Sequence, residues 1–291
     1  MRPGVPLSVI PRTGRCAAAL VLLLVLGACA TSGGAGNRGG SSTPYPYAPD
    51  QLVLRVTYTG GFVTPQILGS RLPLVSVYGD GRVLAEGPTP AIHPGPALPN
   101  LQVTRVDKRA VQDLVADALD AGVDDTADLG TPGVADAPST RFTVSTGLET
   151  IEREVYALQE TPEGGVGLSA DQVAARAKLS DFLGRLTGLS AGGSEPYTPT
   201  AVAGIVSPYT PPDDPQPDQS WPGPALPGNP LPGPQGLSCV VATGDQATAV
   251  LDAAGDANEL TPWVDADGTR WSIAFRPLLP DETGCADLQH G

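Results

Sequence analysis

Residues Leu74–Ala85 read LVSVYGDGRVLA, two short apolar runs (Leu74–Tyr78 and Arg82–Ala85) on either side of Gly79-Asp80-Gly81. Asp-Gly tolerates the positive φ that a tight turn needs, so the stretch predicts a β-hairpin, and a hairpin joins antiparallel strands. Just upstream, Gln51–Thr59 (QLVLRVTYT) alternates, placing Leu52, Leu54, Val56 and Tyr58 on one face of a strand that Gly60-Gly61 ends. Downstream, the five prolines of 87–100 (GPTPAIHPGPALPN) require an extended loop, and Leu101–Val106 reads as a further strand. Arg141–Ser145 and Thr150–Leu158 predict a second hairpin around Gly147. Most links are hairpins, so a parallel βαβ wrap is disfavoured and the sheet is expected to be mainly antiparallel.

Two helices interrupt these strands. Asp107 caps a segment in which Val111, Leu114, Val115, Ala118 and Leu119 keep helical spacing, and Gly122 supplies the stop. Ser169-Ala170-Asp171-Gln172 has the spacing of a capping box and opens a second helix. Its buried stripe is expected at Val173, Ala177, Leu179, Phe182, Leu183 and Leu186, with Gly188 as terminator. The expected fold class for 51–190 is therefore α+β, a mainly antiparallel sheet with two packed helices.

Beyond it, 191–236 reads as a Gly/Pro-rich linker or strap. Ala201–Val206 can add one strand, but 11 of the 30 residues in Ser207–Gly236 are proline, which calls for extended, partly polyproline II chain. Residues 237–291 then form a small C-terminal α+β unit. It comprises a strand at Leu237–Thr243, a helix at Gln246–Ala254, and a hairpin of Thr261–Val264 and Thr269–Phe275 about Asp265-Ala266-Asp267-Gly268. About 55 residues lie near the lower limit for an independent core, so this unit is expected to dock on the first domain.

Composition bounds the function. Of 291 residues, 36 are glycine and 32 proline, well above the usual combined share of roughly 12%, so much of the chain is unpacked. The 17 basic and 31 acidic residues give −14, and removal of Arg2, Arg12 and Arg15 with a leader would leave −17. Nucleic-acid binding draws on neutralised phosphates, and this field repels them, so nucleic acid is not an expected partner. Arginine outnumbers lysine 15 to 2, which with the Ala, Gly, Pro and Val richness suggests a GC-rich bacterial genome.

The N-terminus carries three arginines and no acid over residues 1–15, then the apolar run CAAALVLLLVL (Cys16–Leu26), then Gly27-Ala28-Cys29. This is the pattern of a secretory signal peptide over 1–28. Eleven apolar residues are too few for a bilayer core, which needs roughly 20, so a permanent membrane helix is the weaker alternative. Leu26-Gly27-Ala28-Cys29 resembles the lipobox of bacterial lipoproteins. The resemblance implies that Cys29 becomes the first mature residue and carries diacylglycerol, with 29–50 as a flexible tether. Ordinary secretion after Ala28 or Ala30 is the alternative. Two or three acyl chains would anchor the protein firmly where a single one is marginal.

Cys16 leaves with the leader and Cys29 is the proposed lipid site, which leaves Cys239 and Cys285. In an oxidising compartment the simplest reading is a disulfide between them. On a chain-entropy account it stabilises by about 4 kcal/mol, often less in practice. A catalytic thiol would need His93 or His290 as partner, and two cysteines without CxxC spacing make a poor metal site.

The remaining motifs argue down. Gly188-Leu189-Ser190-Ala191-Gly192 matches the hydrolase elbow, but it follows a helix instead of a strand, and only His290 lies downstream. Asp265 and Asp267 before Gly268 suggest a calcium loop, yet position 274, where the bidentate acid belongs, is Ala. Asp124, Asp125, Asp128 and Asp136 read as solvated loop acids. Asp80 and Glu86 read as turn and surface residues, His93 as a loop histidine. Trp221, Trp263 and Trp271 are the large aromatics, the latter two serving as core or as a sugar platform. No glycine-rich phosphate loop, haem signature or zinc-ligand set appears, so no cofactor or metal is expected.

LVSVYGDGRVL, HPGPALPNLQ and WSIAFRPLLPDETGC are similar to segments of uncharacterised lipoproteins from high-GC Gram-positive bacteria. That resemblance, over most of 51–290, implies secretion and this layout and transfers no functional residue. The expected protein is a lipid-anchored, extracytoplasmic binding or scaffolding module at the outer face of the cell membrane. It would meet another envelope protein or a cell-wall polymer, and the reading leans away from an enzyme. The competing expectation is an envelope hydrolase using acidic residues or a metal, which would bring Asp and Glu side chains into one cleft.

Overall fold

Alternating apolar residues joined by glycine turns lay the first part of the chain into one antiparallel sheet. A computed structural model describes residues 46–161, 164–232 and 236–288, so Cys16, the lipid site Cys29 and His290 lie outside the described residues. In chain order the first half comprises β1 (Leu52–Gly60), α1 (Pro65–Ser70), β2 (Val75–Tyr78), β3 (Arg82–Glu86), β4 (Leu101–Arg105), α2 (Lys108–Asp120), β5 (Pro138–Ser145), β6 (Thr150–Tyr156), α3 (Ala170–Gly188) and β7 (Glu195–Pro196). Its sheet runs β6-β5-β1-β2-β3-β4-β7, each neighbouring pair antiparallel. The α+β class is as the hairpins predict. In the β2–β3 turn a Cβ on Gly81 would lie 2.0 Å from the Val106 carbonyl oxygen, and its φ is +87°, so only glycine fits.

One face of this sheet holds the main core. Val56, Val75, Val77, Phe142 and Val155 pack there against Val111 and Val115 of α2 and Leu179, Phe182 and Leu186 of α3. The β1 stripe departs from strict alternation. A register shift between Leu52 and Leu54 brings Val53 into the core beside Leu54, while Leu52 packs on the opposite face near Tyr78 and Leu84. The bulge gives one extra residue to that strand, which reverses the facing of everything before it. Asp107 caps α2 by accepting from the Ala110 N–H at 2.8 Å, and Ser169 and Gln172 close the capping box of α3. The α3 stripe holds at Leu179, Phe182, Leu183 and Leu186, but Arg176 is buried where Ala177 is expected, Ala177 is exposed and Val173 is half-buried.

The second half contains β8 (Ala201–Pro208), β9 (Gln219–Ser220), β10 (Asn229–Pro230), β11 (Ser238–Thr243), α4 (Gly244–Gly255), β12 (Trp263–Val264) and β13 (Arg270–Pro277), in a sheet ordered β10-β11-β8-β13-β12-β9. The stretch 191–236, expected as linker, thus supplies three of the six strands. Ala201–Val206 has no proline and can donate to both neighbours, so β8 sits in the interior of the sheet. The prolines beyond it confine β9 and β10 to two residues each, at opposite edges. Between those edges the chain crosses the face that carries α4. Trp221 packs edge-on to Trp263 (centroids 5.6 Å apart) and Leu226 joins the same core. The strap is therefore part of the packing.

Cys239 of β11 and Cys285, in a short 3-10 turn (Cys285–Leu288), form the expected disulfide. The two halves dock. Gln66 of α1 donates to the Ile205 carbonyl oxygen at 3.0 Å, and the loop before β4 pairs its Gly95 and Ala97 main chain with Glu259 and Ala257. Leu279 completes a shared cluster with Leu72, Tyr78, Leu84 and Leu101.

Candidate functional site

Charged groups converge at two places, and their chemistry differs. The first is the seam between the halves. Arg55 of β1 donates through Nη2 to Asp281 at 2.8 Å and to the Tyr78 hydroxyl at 3.2 Å, and through Nε to Ser76 at 3.0 Å. The Tyr78 hydroxyl donates in turn to Asp281 at 2.7 Å. Behind it, Arg276 and Glu282 pair at 2.7 Å with side chains only 3% exposed, and Glu282 also accepts from the Leu279 N–H. Arg276 reaches the Arg71 carbonyl oxygen, tying β13 to the segment after α1. Burial pushes the Tyr78 hydroxyl well above the ordinary phenol value, opposed by Arg55 and reinforced by Asp281. Burial likewise lowers Arg276, with Glu282 opposing. Every ionised group here faces a partner within the chain, which makes the seam a latch.

The second place is the edge of the first sheet. A groove of about 490 Å³ runs beside β6, lined by Asp125–Gly130 of the loop after α2 and by Glu152–Tyr156 of β6 itself. Side-chain alternation puts Glu152 and Glu154 on the sheet face away from α3, while Arg153 points to the core side opposite Phe142. Arg153 is 8% exposed; its Nη2 donates to the Ala127 carbonyl oxygen at 2.7 Å, and its Nη1 is buried without an acceptor. Arg176, also buried, donates from Nη2 to the carbonyl oxygens of Tyr156 and Ala157 at 2.6 and 2.7 Å, and from Nη1 to Leu129 at 3.3 Å. These two arginines pin the loop to the strand end without a carboxylate partner among the described residues.

Of the groove carboxylates, Glu154 is held by Arg141 at 2.9 Å and by the Thr59 hydroxyl at 3.1 Å. Burial alone would raise its pKa, but those hydrogen bonds and the Arg141 charge hold it below the usual carboxylate range. Asp125 and Asp128 accept from the N–H groups of Ala127 and Gly130, turns that shape the loop. Neither they nor Glu152 has an ion-pair partner among the described residues.

The other sequence candidates have local roles. Ser190 of the elbow match sits in a 3-10 turn after α3, its buried hydroxyl without a partner among the described residues. Asp265 accepts from the main chain of Asp267 and Thr269 and from the Trp271 indole at 2.8 Å, so it closes its own hairpin turn. Trp263 is core. Asp80 pairs with Arg82, and burial raises the Glu86 carboxyl. His93 lies 3.3 Å from Glu259, with its side chain 79% exposed. Among the described residues no three His, Cys, Asp or Glu side chains group closely enough to hold a metal, and the acids at 124, 125, 128 and 136 are dispersed. No helix among them is long and apolar enough to cross a membrane.

Sequence reading missed both arginine sets. The signal was present: Arg153 interrupts the apolar face Ile151–Arg153–Val155, and Arg176 falls on the stripe shared by Leu179 and Leu183.

No family model, curated protein or solved structure matches this chain.

Proposed function

We propose that the chain is an extracytoplasmic lipoprotein, anchored by acyl chains on Cys29 at the outer face of a bacterial cell membrane. There it acts as a non-enzymatic binding or scaffolding module for another envelope protein or a cell-wall polymer. The placement rests on the leader and on Leu26-Gly27-Ala28-Cys29. A disulfide across the C-terminal half fits an oxidising compartment. The observation that carries the binding role is the contrast between a latch whose charges are matched internally and a groove at a sheet edge where Asp125, Asp128 and Glu152 have no ion-pair partner among the described residues and only Glu154 is paired. Labelled palmitate fed to a bacterial host expressing the wild type and Cys29→Ala tests the anchor. Label and detergent-phase partitioning are expected for the wild type and lost in the variant; label retained by Cys29→Ala overturns the site.

An envelope hydrolase is the second reading, and the same four carboxylates around one groove favour it. A general acid working near neutrality needs a raised pKa, whereas Glu154 is held low by Arg141. The hydrolase reading predicts release of soluble fragments from labelled cell wall that Glu152→Gln abolishes.

A further inference from the structure

The groove beside β6 is bounded by main chain as well as by side chains. At one end of the β5–β6 ladder the Thr146 N–H donates to the Glu149 carbonyl oxygen; at the other, the Ala157 N–H donates to that of Pro138. In an antiparallel ladder the residues that exchange both bonds alternate with residues that turn theirs away. Glu149 and Ala157 face β5, so Ile151, Arg153 and Val155 do too, and Thr150, Glu152, Glu154 and Tyr156 direct their N–H and C=O outward. The outward Tyr156 carbonyl oxygen is met by Arg176. No strand pairs with the outward N–H and C=O groups of Glu152 and Glu154 among the described residues, and both residues line the groove. The other edges of both sheets are strands of two residues, too short to template pairing, so β6 is the long open edge.

We propose that this groove receives an extended peptide segment of a partner protein, added to the sheet antiparallel or parallel to β6, with lysine or arginine at alternate positions. Main-chain groups of Glu152 and Glu154 supply its ladder bonds. Its basic side chains meet Glu152 and Glu154 on one face of the sheet. Its intervening side chains are small and apolar, facing Ala127 and Leu129 on the other. Charge selects the occupant: Asp125, Asp128, Glu152 and Glu154 surround the groove. A second β6 paired antiparallel about Arg153 would set Glu152 against Glu154, a like-charge pair that disfavours a homodimer through this edge. The inference rests on the binding-module reading above and names its class of partner, while palmitate labelling of the same preparation tests the anchor separately.

Fluorescence anisotropy of the full chain in detergent tests it, with a fluorescein-labelled ten-residue peptide of alternating lysine and valine as probe. Saturable binding is expected, together with none for a probe carrying proline at alternate positions and none for one with glutamate in place of lysine. Two variants remove different parts of the site. Glu152→Pro deletes an outward N–H that β5 does not use, a position where an edge strand tolerates proline. Glu152→Lys reverses a charge on an exposed side chain. Each is expected to weaken binding at least tenfold with an unchanged circular dichroism spectrum. Undiminished binding in Glu152→Pro, equal binding of the proline probe, or absence of saturable binding overturns the proposal. So does probe binding that tracks concentration-dependent dimerisation of the protein.

Discussion

Arginine is buried in two regions of this molecule under opposite rules. At the seam, Arg55 and Arg276 face Asp281 and Glu282, and each charge is answered by its opposite. Behind β6, Arg153 and Arg176 face only carbonyl and hydroxyl oxygens. A carbonyl satisfies an N–H without cancelling a charge. The seam therefore joins two distant parts of the chain into a neutral unit, whereas the arginines behind β6 organise a loop and leave Asp125, Asp128 and Glu152 without an ion pair among the described residues. The difference separates a joint from a receptive surface.

The seam is the place where one substitution should cost most. Arg276→Ala leaves buried Glu282 with only the more distant Arg55, 3.9 Å away, as a charged partner, which should destabilise by about 3 kcal/mol and lower Tm by roughly 2–4 °C for each kcal/mol. Arg276→Met combined with Glu282→Leu should recover most of that loss, because an apolar pair of similar volume is near neutral. Failure of the double variant to recover would mean that the ion pair contributes more than mutual neutralisation. Replacing both Cys239 and Cys285 by serine should cost about 3 kcal/mol. Hydrogen exchange should then show lost protection over 270–288, the segment bearing the seam acids, with 150–186 unchanged. Equal loss in both segments would contradict the separation of the two regions.

Arg176→Met should cost about 2 kcal/mol, since several buried acceptors lose a donor, and urea unfolding at two salt concentrations should show the same loss in each. The smallest effect belongs to Tyr78→Phe, about 1 kcal/mol near neutrality. Because the folded-state pKa of Tyr78 is raised, its stabilisation is complete below the ordinary tyrosine value of 10.0 and fades as pH rises through the folded value. The wild type should therefore lose more stability than Tyr78→Phe between about pH 9 and pH 11. Parallel alkaline limbs would remove Tyr78 from the latch.

These regions also divide what the sequence made legible. The hairpin at 74–85, the Asp107 cap, the Ser169 capping box and the Cys239–Cys285 bridge are short-range signals or follow from counting, and each could be read directly. The seam could not: Arg55 and Asp281 are 226 residues apart, and nothing local to either announces the other. The six-residue α1 is too short to show a period. Strict alternation places Leu52 on the face of Leu54, because a bulge is invisible to it. Arg176 was overlooked because a long charged side chain is read as surface, although its stem packs well and its head finds carbonyls. Of the groove, only the loop acids are legible in the sequence; the outward main-chain groups of Glu152 and Glu154 emerge from the register of β6 on β5.

The position of β8 has a consequence for assembly. Both of its ladder partners, β11 and β13, lie later in the chain, so a nascent polypeptide presents Ala201–Val206 with two bare edges until Ser238–Thr243 has been made, and with one until Arg270–Pro277 follows. Such a segment invites mispairing with other unfinished chains. The first half is complete by then, and α1, whose Gly69 lies against Ile205, offers a surface on which the waiting strand can rest. The packing of α1 on β8 thus gives the later half a neighbour that is made before its own ladder partners.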